Sequence, residues 1–254
     1  VFVVIFGRSF KKLFHLKKKD IASFIVVGGV GSALATVTFT QAFSYLNPSL
    51  VILLQKFQPV VAVLLAKIVL KEKVQAPFIF WAIVCFAGAL LIAFDDIKIV
   101  VGAESLNELV YRNAGLGYAL VFFSVIGWGA STVFGKRLLN QGFKHEQVLA
   151  GRFLVGFIFL VPVIFTESNL WSFPVEIYSK ISLMVFVSGL LAMYLYYNGL
   201  RRISARACSL TEMFFPFLAV IVNWIFLGAK LTPTQLMGGA VLLLGSVVIQ
   251  LKRY

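Results

Sequence analysis

The chain has 254 residues, of which 60% are hydrophobic and 13% charged, and its mean hydropathy is +0.95. No soluble fold of this size needs so much apolar surface, so these values exclude an ordinary soluble domain and indicate a helical protein that crosses a membrane several times. The net charge of +13 would suit a nucleic-acid binder, but the basic residues cluster in alternate loops, as membrane topology predicts.

The apolar runs, taken in chain order, predict eight full membrane spans. Residues 1–6 are too short to span and run directly into a basic loop, so we expect them to be the end of a helix whose beginning is absent from this chain. The full spans that follow are close to the twenty apolar residues that cross a bilayer. They cover residues 21–45, 49–70, 76–94, 115–135, 147–166, 180–200, 207–228 and 233–250.

The distribution of lysine and arginine predicts the orientation of these spans. Cytoplasmic loops carry an excess of basic residues, and here one set of loops holds most of them, together with the C-terminus. This set comprises the loops near Lys17, Lys71, Lys136 and Arg201. We therefore expect these loops and the C-terminus to face the cytoplasm from the plasma membrane, which in a bacterium is the inner membrane.

Polar residues interrupt the second full span. Gln55, Lys56 and Gln58 lie inside an apolar run, where such side chains are costly unless they serve a cavity. Pro59 follows at once and lacks an N–H, so the carbonyl of Gln55 loses its helical partner and the helix is expected to kink. Polar side chains and a free carbonyl are thus predicted at one depth.

The span at 207–228 repeats this arrangement. Glu212 is the polar residue, and Pro216 frees its carbonyl by the same rule. Kinked helices with polar groups at corresponding places in two halves of a chain are typical of the central site of a secondary transporter.

An internal repeat connects the two kinked spans. A shift of 157 residues pairs Pro59 with Pro216 and Gly88 with Gly245. The loop after the first kinked span is predicted to be cytoplasmic and the loop after the second to be outside, so the halves have inverted topology. We place the first repeat at residues 1–113 and the second at 114–254.

On these residues the chain resembles the EamA-type branch of the drug/metabolite transporter superfamily. The resemblance lies in residues 42–49, 54–59, 70–73, 197–200 and 227–232, with Gly88, Pro216 and Gly245. It implies an all-α membrane fold of ten helices in two inverted five-helix repeats around a central substrate cavity. The first helix and most of the second would be absent from this chain. One departure is Ala229, where the family often carries a glutamate, as Glu72 does in the first half.

The candidate substrate-binding residues are the polar and aromatic groups predicted to face that cavity. They are Gln55, Lys56, Gln58, Trp128, Thr132, Tyr197, Asn198 and Glu212. Lys56 would attract a carboxylate or phosphate, or else pair with Glu212, and Glu212 would bind a substrate amine or a coupling proton. Trp128 would form an apolar or cation–π wall or pack in the core. Arg152 is expected to extend to the cytoplasmic interface.

These features favour a secondary active transporter that moves a small polar metabolite, such as an amino acid or an organic anion, by alternating access. No nucleotide-binding motif is present, so a proton gradient or an exchanged metabolite would drive it. The alternatives are a membrane enzyme acting on a lipid or polyprenyl substrate and a non-transporting scaffold. Neither histidine has ligand-like companions, so we predict no metal, no cofactor and no catalytic residue. The expected partners are a small molecule and the lipid bilayer, not nucleic acid.

Overall fold

The computed structural model describes residues 16–94, 97–98, 114–166, 174–228 and 232–252. All regular structure within these ranges is helical, which confirms the predicted all-α class. The helices are α1 (Lys18–Ala42), α2 (Pro48–Gln55), α3 (Gln58–Val69), α4 (Ala76–Ile92), α5 (Ala114–Asn140), α6 (His145–Thr166), α7 (Val175–Arg202), α8 (Ala205–Glu212), α9 (Phe215–Leu227) and α10 (Pro233–Lys252). The helix end expected at residues 1–6 lies outside the described ranges.

The membrane-spanning character of the chain follows from helix length and composition. Five helices in the described ranges are long and apolar enough to cross a bilayer, and α4 and α10 are shorter apolar helices. The five are α1, the run Leu50–Val69, α5, α6 and α7. Two of them, α1 and α7, contain π-helical turns at Ile25–Leu34 and Val185–Leu191. The chain is therefore an integral membrane protein.

The predicted kink at Pro59 takes the form of a break in the helix. The N–H groups of Lys56 and Phe57 bond to carbonyls only three residues back, on Leu53 and Leu54, each at 3.1 Å. This tight turn ends α2, and α3 begins directly after it with Pro59 as its second residue. A proline is well tolerated there because the first N–H groups of a helix have no intrahelical acceptor.

The second half contains the same break. Met213 and Phe214 donate their N–H groups to carbonyls three residues back, on Leu210 at 3.2 Å and on Thr211 at 3.0 Å. The turn separates α8 from α9, whose second residue is Pro216. Each predicted kinked span is thus a pair of short helices joined by a tight turn.

The positions of the helices recur at the shift of 157 residues that the sequence suggested. The bounds of α8 are those of α2 shifted by this amount, and α10 begins at the residue that corresponds to the start of α4. The turn after each broken helix also recurs, with φ of 55° at Lys71 and 66° at Gly228. The repeated sequence therefore folds into repeated elements.

The corresponding helices α4 and α10 pack closely and run antiparallel. A Cβ added to Gly88 would lie 2.8 Å from the carbonyl oxygen of Gly238, and Gly245 lies against Cys85. The Cys85 thiol donates to the carbonyl of Leu242 at 3.9 Å. Residues nearer the end of α4 contact residues nearer the start of α10, so these two corresponding helices run in opposite directions. Inverted repeats require this arrangement.

Replacing Gly88 by alanine is expected to destabilise the protein by about 1–3 kcal/mol, the usual cost of overpacking. The new methyl would meet backbone atoms, the Gly238 oxygen and the Leu242 nitrogen, each at 2.8 Å, so the two helices would have to separate. The measurement is the thermal unfolding of the purified protein in detergent. Gly199→Ala is the matched control, because nothing lies within 4 Å of its added Cβ. Equal melting temperatures for the two variants would contradict the close approach of α4 and α10.

The basic loops meet at one end of the helix bundle. The Lys136 ammonium donates to the carbonyls of Leu200 and Arg201 at 2.8 and 3.0 Å. The loop after α3 touches the start of α8 through Glu72, which accepts the N–H of Ala205 at 2.9 Å. Leu16, at the start of the described chain, packs on the core cluster that contains Leu200. The loops that the charge distribution groups together are therefore neighbours in the fold.

We expect this end of the bundle to face the cytoplasm. Single cysteines introduced at the exposed residues Lys17, Lys71, Lys144 and Arg201 in a cysteine-free background should resist a membrane-impermeant maleimide applied to intact cells. A cysteine at Glu176, which is exposed at the other end of α7, should react. Labelling of the four basic positions from outside, with protection of position 176, would reverse the predicted orientation.

Candidate functional site

The candidate site is centred on the carboxylate of Glu212, the last residue of α8. The Tyr196 hydroxyl donates to its Oε1 at 2.8 Å, and the Gln58 amide donates to its Oε2 at 2.8 Å. The Thr132 hydroxyl lies 3.4 Å from Oε1. Donors from α3, α5 and α7 thus converge on one acidic group. Glu212 is half-buried, and a charge that is partly removed from water needs such bonds to compensate its lost hydration.

The donors are also connected with one another. The hydroxyls of Thr132 and Tyr196 lie 3.0 Å apart, and either one can donate to the other. The Cys208 thiol, one turn before Glu212 on α8, lies 3.7 Å from Oε1. Hydrogen bonds that share groups in this way strengthen one another in a medium of low dielectric constant. The result is a small polar network enclosed by apolar helices.

Two residues of this network, Gln58 and Glu212, lie directly beside the two helix breaks. Gln58 is the first residue of α3, directly after the first break, and Glu212 directly precedes the second. Their contact therefore joins the two breaks. Gln55 and Lys56 lie at the first break and are half-buried. Under the shift of 157 residues, Gln55 corresponds to Glu212, so each half places a polar side chain at the end of its first short helix.

An aromatic wall adjoins the network on α5. Trp128 lies one helical turn before Thr132, whose hydroxyl bonds to the Trp128 carbonyl at 3.5 Å. The indole is half-buried, and its ring centre is 4.9 Å from that of Phe39 on α1. Tilted aromatic pairs at this separation are favourable contacts that also hold each ring in place. The structure thus puts Trp128 next to the candidate site.

Tyr197 and Asn198 are placed differently from their neighbour Tyr196. Tyr197 is fully buried, and its hydroxyl accepts a bond from Arg152 on α6 at 3.2 Å. Its ring fills the space beside Gly135, where an added Cβ would lie 3.0 Å from a ring carbon. Arg152 is therefore held against α7, in contrast to the extended position expected from the sequence. Asn198 is half-buried on the same helix.

Two members of the network, Tyr196 and Cys208, were not among the candidates from the sequence. A weak signal existed for each. Tyr196 corresponds to Phe39 in the repeat and adds a hydroxyl to it, and Cys208 lies four residues before Glu212, on the same helical face. Among the described residues, no cluster of three or more His, Cys, Asp or Glu side chains has a metal-binding arrangement.

Comparison with known proteins identifies relatives along most of the chain. Residues 1–94 and 115–251 match the model of the EamA-like transporter family. The riboflavin transporter ImpX of Fusobacterium nucleatum is 30% identical over 96% of this chain and 81% of its own length. The uncharacterized transporter YyaM of Bacillus subtilis is 24% identical over 99% of this chain and 81% of its own length.

The fold also matches a protein of known crystal structure. The two superpose with a TM-score of 0.71 over 94% of this chain and 80% of the other, at 16% sequence identity. At that identity the likeness concerns the fold alone. It extends to nearly all of the chain.

Proposed function

Because the chain belongs to the EamA-like transporter family, within the drug/metabolite transporter superfamily, we propose that it is a secondary active transporter. It moves a small polar metabolite across the plasma membrane by alternating access. Residues 1–113 and 114–254 form its two repeats, with the basic loops and the C-terminus in the cytoplasm. It performs no chemical conversion of its substrate and uses no cofactor.

The observation that best supports this proposal is the contact of Gln58 with Glu212. It connects the start of α3, directly after one helix break, with the end of α8, directly before the other, so polar groups of both halves meet at one point. Broken helices at a repeat interface are where secondary transporters bind their substrates. An acidic residue inside the membrane is costly to keep, and such residues are usually functional.

The donors around Glu212 indicate how a substrate would bind. An amine, amide or hydroxyl of the substrate would replace one of the bonds from Gln58, Thr132 or Tyr196, so the carboxylate would remain satisfied throughout the exchange. Trp128 would contact a flat or apolar part of the same molecule, and Lys56 would attract an anionic part. Glu212 is also the group that would carry a coupled proton if the transporter does not work by exchange.

The F. nucleatum relative named a riboflavin transporter makes this vitamin the first compound to test. Its hydroxyl-bearing chain and its flat ring suit a site with a carboxylate, several hydrogen-bonding groups and an indole wall. Amino acids and organic anions complete the panel, because the site also has groups that bind amines and carboxylates.

The test has two stages on the purified chain. Thermal unfolding is followed with each compound of the panel, and the compounds that raise the melting temperature are then offered, radiolabelled, to liposomes that contain the protein. We expect at least one compound both to stabilise the protein and to accumulate. Lumiflavin, which keeps the flavin ring but lacks the hydroxylated chain, is the matched control for riboflavin. Stabilisation without uptake, or no stabilisation by any compound, would contradict the proposal.

A further inference from the structure

The carboxylate of Glu72 connects the loop after α3 to the first turn of α8. It accepts the backbone N–H of Ala205 at 2.9 Å and that of Arg206 at 3.4 Å. The Nε of Arg206 lies 3.6 Å from the same carboxylate. The first N–H groups of a helix lack intrahelical acceptors, and a negative charge is favourable there. We name these contacts the Glu72–Arg206 latch.

Arg206 strengthens the latch from the other direction. Its guanidinium donates to the carbonyl of Lys73, in the same loop, and lies over the ring of Phe78 at 4.7 Å. Only 8% of Arg206 is exposed. Arg206, which belongs to the second half, is thus held by Lys73 and Phe78 of the first half in addition to Glu72. Charge-assisted hydrogen bonds, such as the one to the Lys73 carbonyl, are among the strongest in proteins.

The backbone at Lys71 directs Glu72 towards α8. Lys71 has φ of 55°, in the left-handed region that residues other than glycine seldom occupy. This turn ends α3 and allows the N–H of Glu72 to bond to the carbonyl of Ala66 at 3.2 Å. The loop is therefore held in the conformation that presents the carboxylate to the start of α8.

The sequence does not permit the same latch at the corresponding positions of the other half. Under the shift of 157 residues, Glu72 corresponds to Ala229, which has no carboxylate. Ala205 corresponds to Pro48, which has no N–H to donate, and Arg206 corresponds to Ser49, which has no charge. All three components are missing together, so the latch belongs to the basic-loop end alone.

A second contact closes the same end. The Lys136 ammonium, only 9% exposed, bonds to the carbonyls of Leu200 and Arg201 at the end of α7. The latch holds the start of α8, which follows the end of α7 by only a few residues. The connection between α7 and α8 is thus fixed on both sides by residues from other helices.

We propose that the Glu72–Arg206 latch stabilises the conformation that is closed at the basic-loop end, and that transport requires it to break in each cycle. This inference rests on the proposed transport function, because alternating access moves the two halves against each other. The latch joins the halves at one end only. The protein without substrate therefore favours the state that is closed at this end.

Cys208 provides the reporter for the test. It lies in the first turn of α8 and is 6% exposed, and its thiol lies 3.7 Å from Oε1 of Glu212 in the candidate site. Opening of the basic-loop end would therefore expose this thiol to a reagent on that side. Cys85→Ser leaves Cys208 as the single thiol. Sealed vesicles are prepared in both orientations, and the rate of Cys208 alkylation by an impermeant maleimide is measured from each side.

Glu72→Gln, which keeps the side-chain volume, should accelerate alkylation from the basic-loop side by about tenfold, the factor that corresponds to ~1.4 kcal/mol. Arg206→Gln is the independent second variant and should act in the same direction. Glu176→Gln, at the opposite end of α7, is the matched control and should leave the rate unchanged. An unchanged rate in both latch variants, or an equal rise from both sides, would overturn the proposal.

This readout is separate from transport. Faster alkylation in the latch variants, combined with no uptake of any compound by the parent protein, would retain the latch and reject the transporter. Normal uptake by the parent protein, combined with unchanged alkylation in the latch variants, would retain the transporter and reject the latch.

Discussion

Replacing Glu212 by glutamine is expected to reduce substrate uptake into liposomes by about 10–100-fold, because the substrate would lose one charge-assisted hydrogen bond of about 1.5–3 kcal/mol to the carboxylate. In the protein without substrate the carboxylate accepts bonds from Tyr196 and Gln58, each at 2.8 Å, and a glutamine would keep one oxygen that can accept such a bond. Glutamine has nearly the same volume, so the packing of the site is preserved. The loss should therefore appear in transport more than in the thermal stability of the protein.

Two further variants test whether the effect on uptake comes from the Glu212 carboxylate itself, from its hydrogen-bond donor or from any loss of a negative charge. Tyr196→Phe removes one donor and keeps the ring, so uptake should fall by about tenfold, the equivalent of one modest hydrogen bond. Glu176→Gln makes the same chemical change as Glu212→Gln on an exposed carboxylate at the start of α7 and should leave uptake unchanged. Uptake within a factor of about two of the parent in a folded Glu212→Gln protein, well below the effect of a single lost bond, would remove the carboxylate from the mechanism.

Much of the architecture could be predicted because it depends on local properties that each segment carries by itself. Apolar runs of bilayer length predict spans, and a proline with polar neighbours predicts an interrupted helix. Both broken helices occur where Pro59 and Pro216 indicated, although each is a complete break that begins three residues before its proline. The inverted repeat could be recognised from the spacing of prolines and glycines, because each half requires these residues at the same breaks and close helix contacts.

The partners of the polar side chains could not be predicted in this way. Adjacent residues on a helix point about 100° apart, so Tyr196 and Tyr197 face different neighbours. Tyr196 bonds to Glu212, and Tyr197 bonds to Arg152. A sequence places both tyrosines at one depth but does not say which of them faces the site, because that depends on how α7 is rotated against α5 and α6.

The latch illustrates the same limit for loops. The basic residues at 71–73 indicate a cytoplasmic loop, and Glu72 belongs to the motif that resembles the EamA-type family. Its acceptor role towards α8 depends on the positive φ of Lys71 and on a contact between residues 133 positions apart. Neither property has a counterpart in hydropathy or charge patterns.

Replacing Lys56 by methionine is expected to weaken substrate binding by about 1.5–3 kcal/mol, the contribution of one charge-assisted contact, which corresponds to a dissociation constant about 10–100-fold larger. Lys56 is half-buried in the break between α2 and α3, two residues before Gln58, whose amide bonds to Glu212. A lysine in this position attracts an anionic group of the substrate or else neutralises Glu212, and the two roles make different demands.

The combination of Lys56→Met with Glu212→Gln distinguishes them. If Lys56 only neutralises Glu212, the double variant should fold and transport at least as well as Glu212→Gln alone, because no uncompensated charge remains in the membrane. If Lys56 contacts the substrate, the double variant should fold but transport less than Glu212→Gln alone. Lys67→Met, an exposed lysine near the end of α3, is the matched control. An unchanged dissociation constant in folded Lys56→Met protein would show that this ammonium does not contact the substrate.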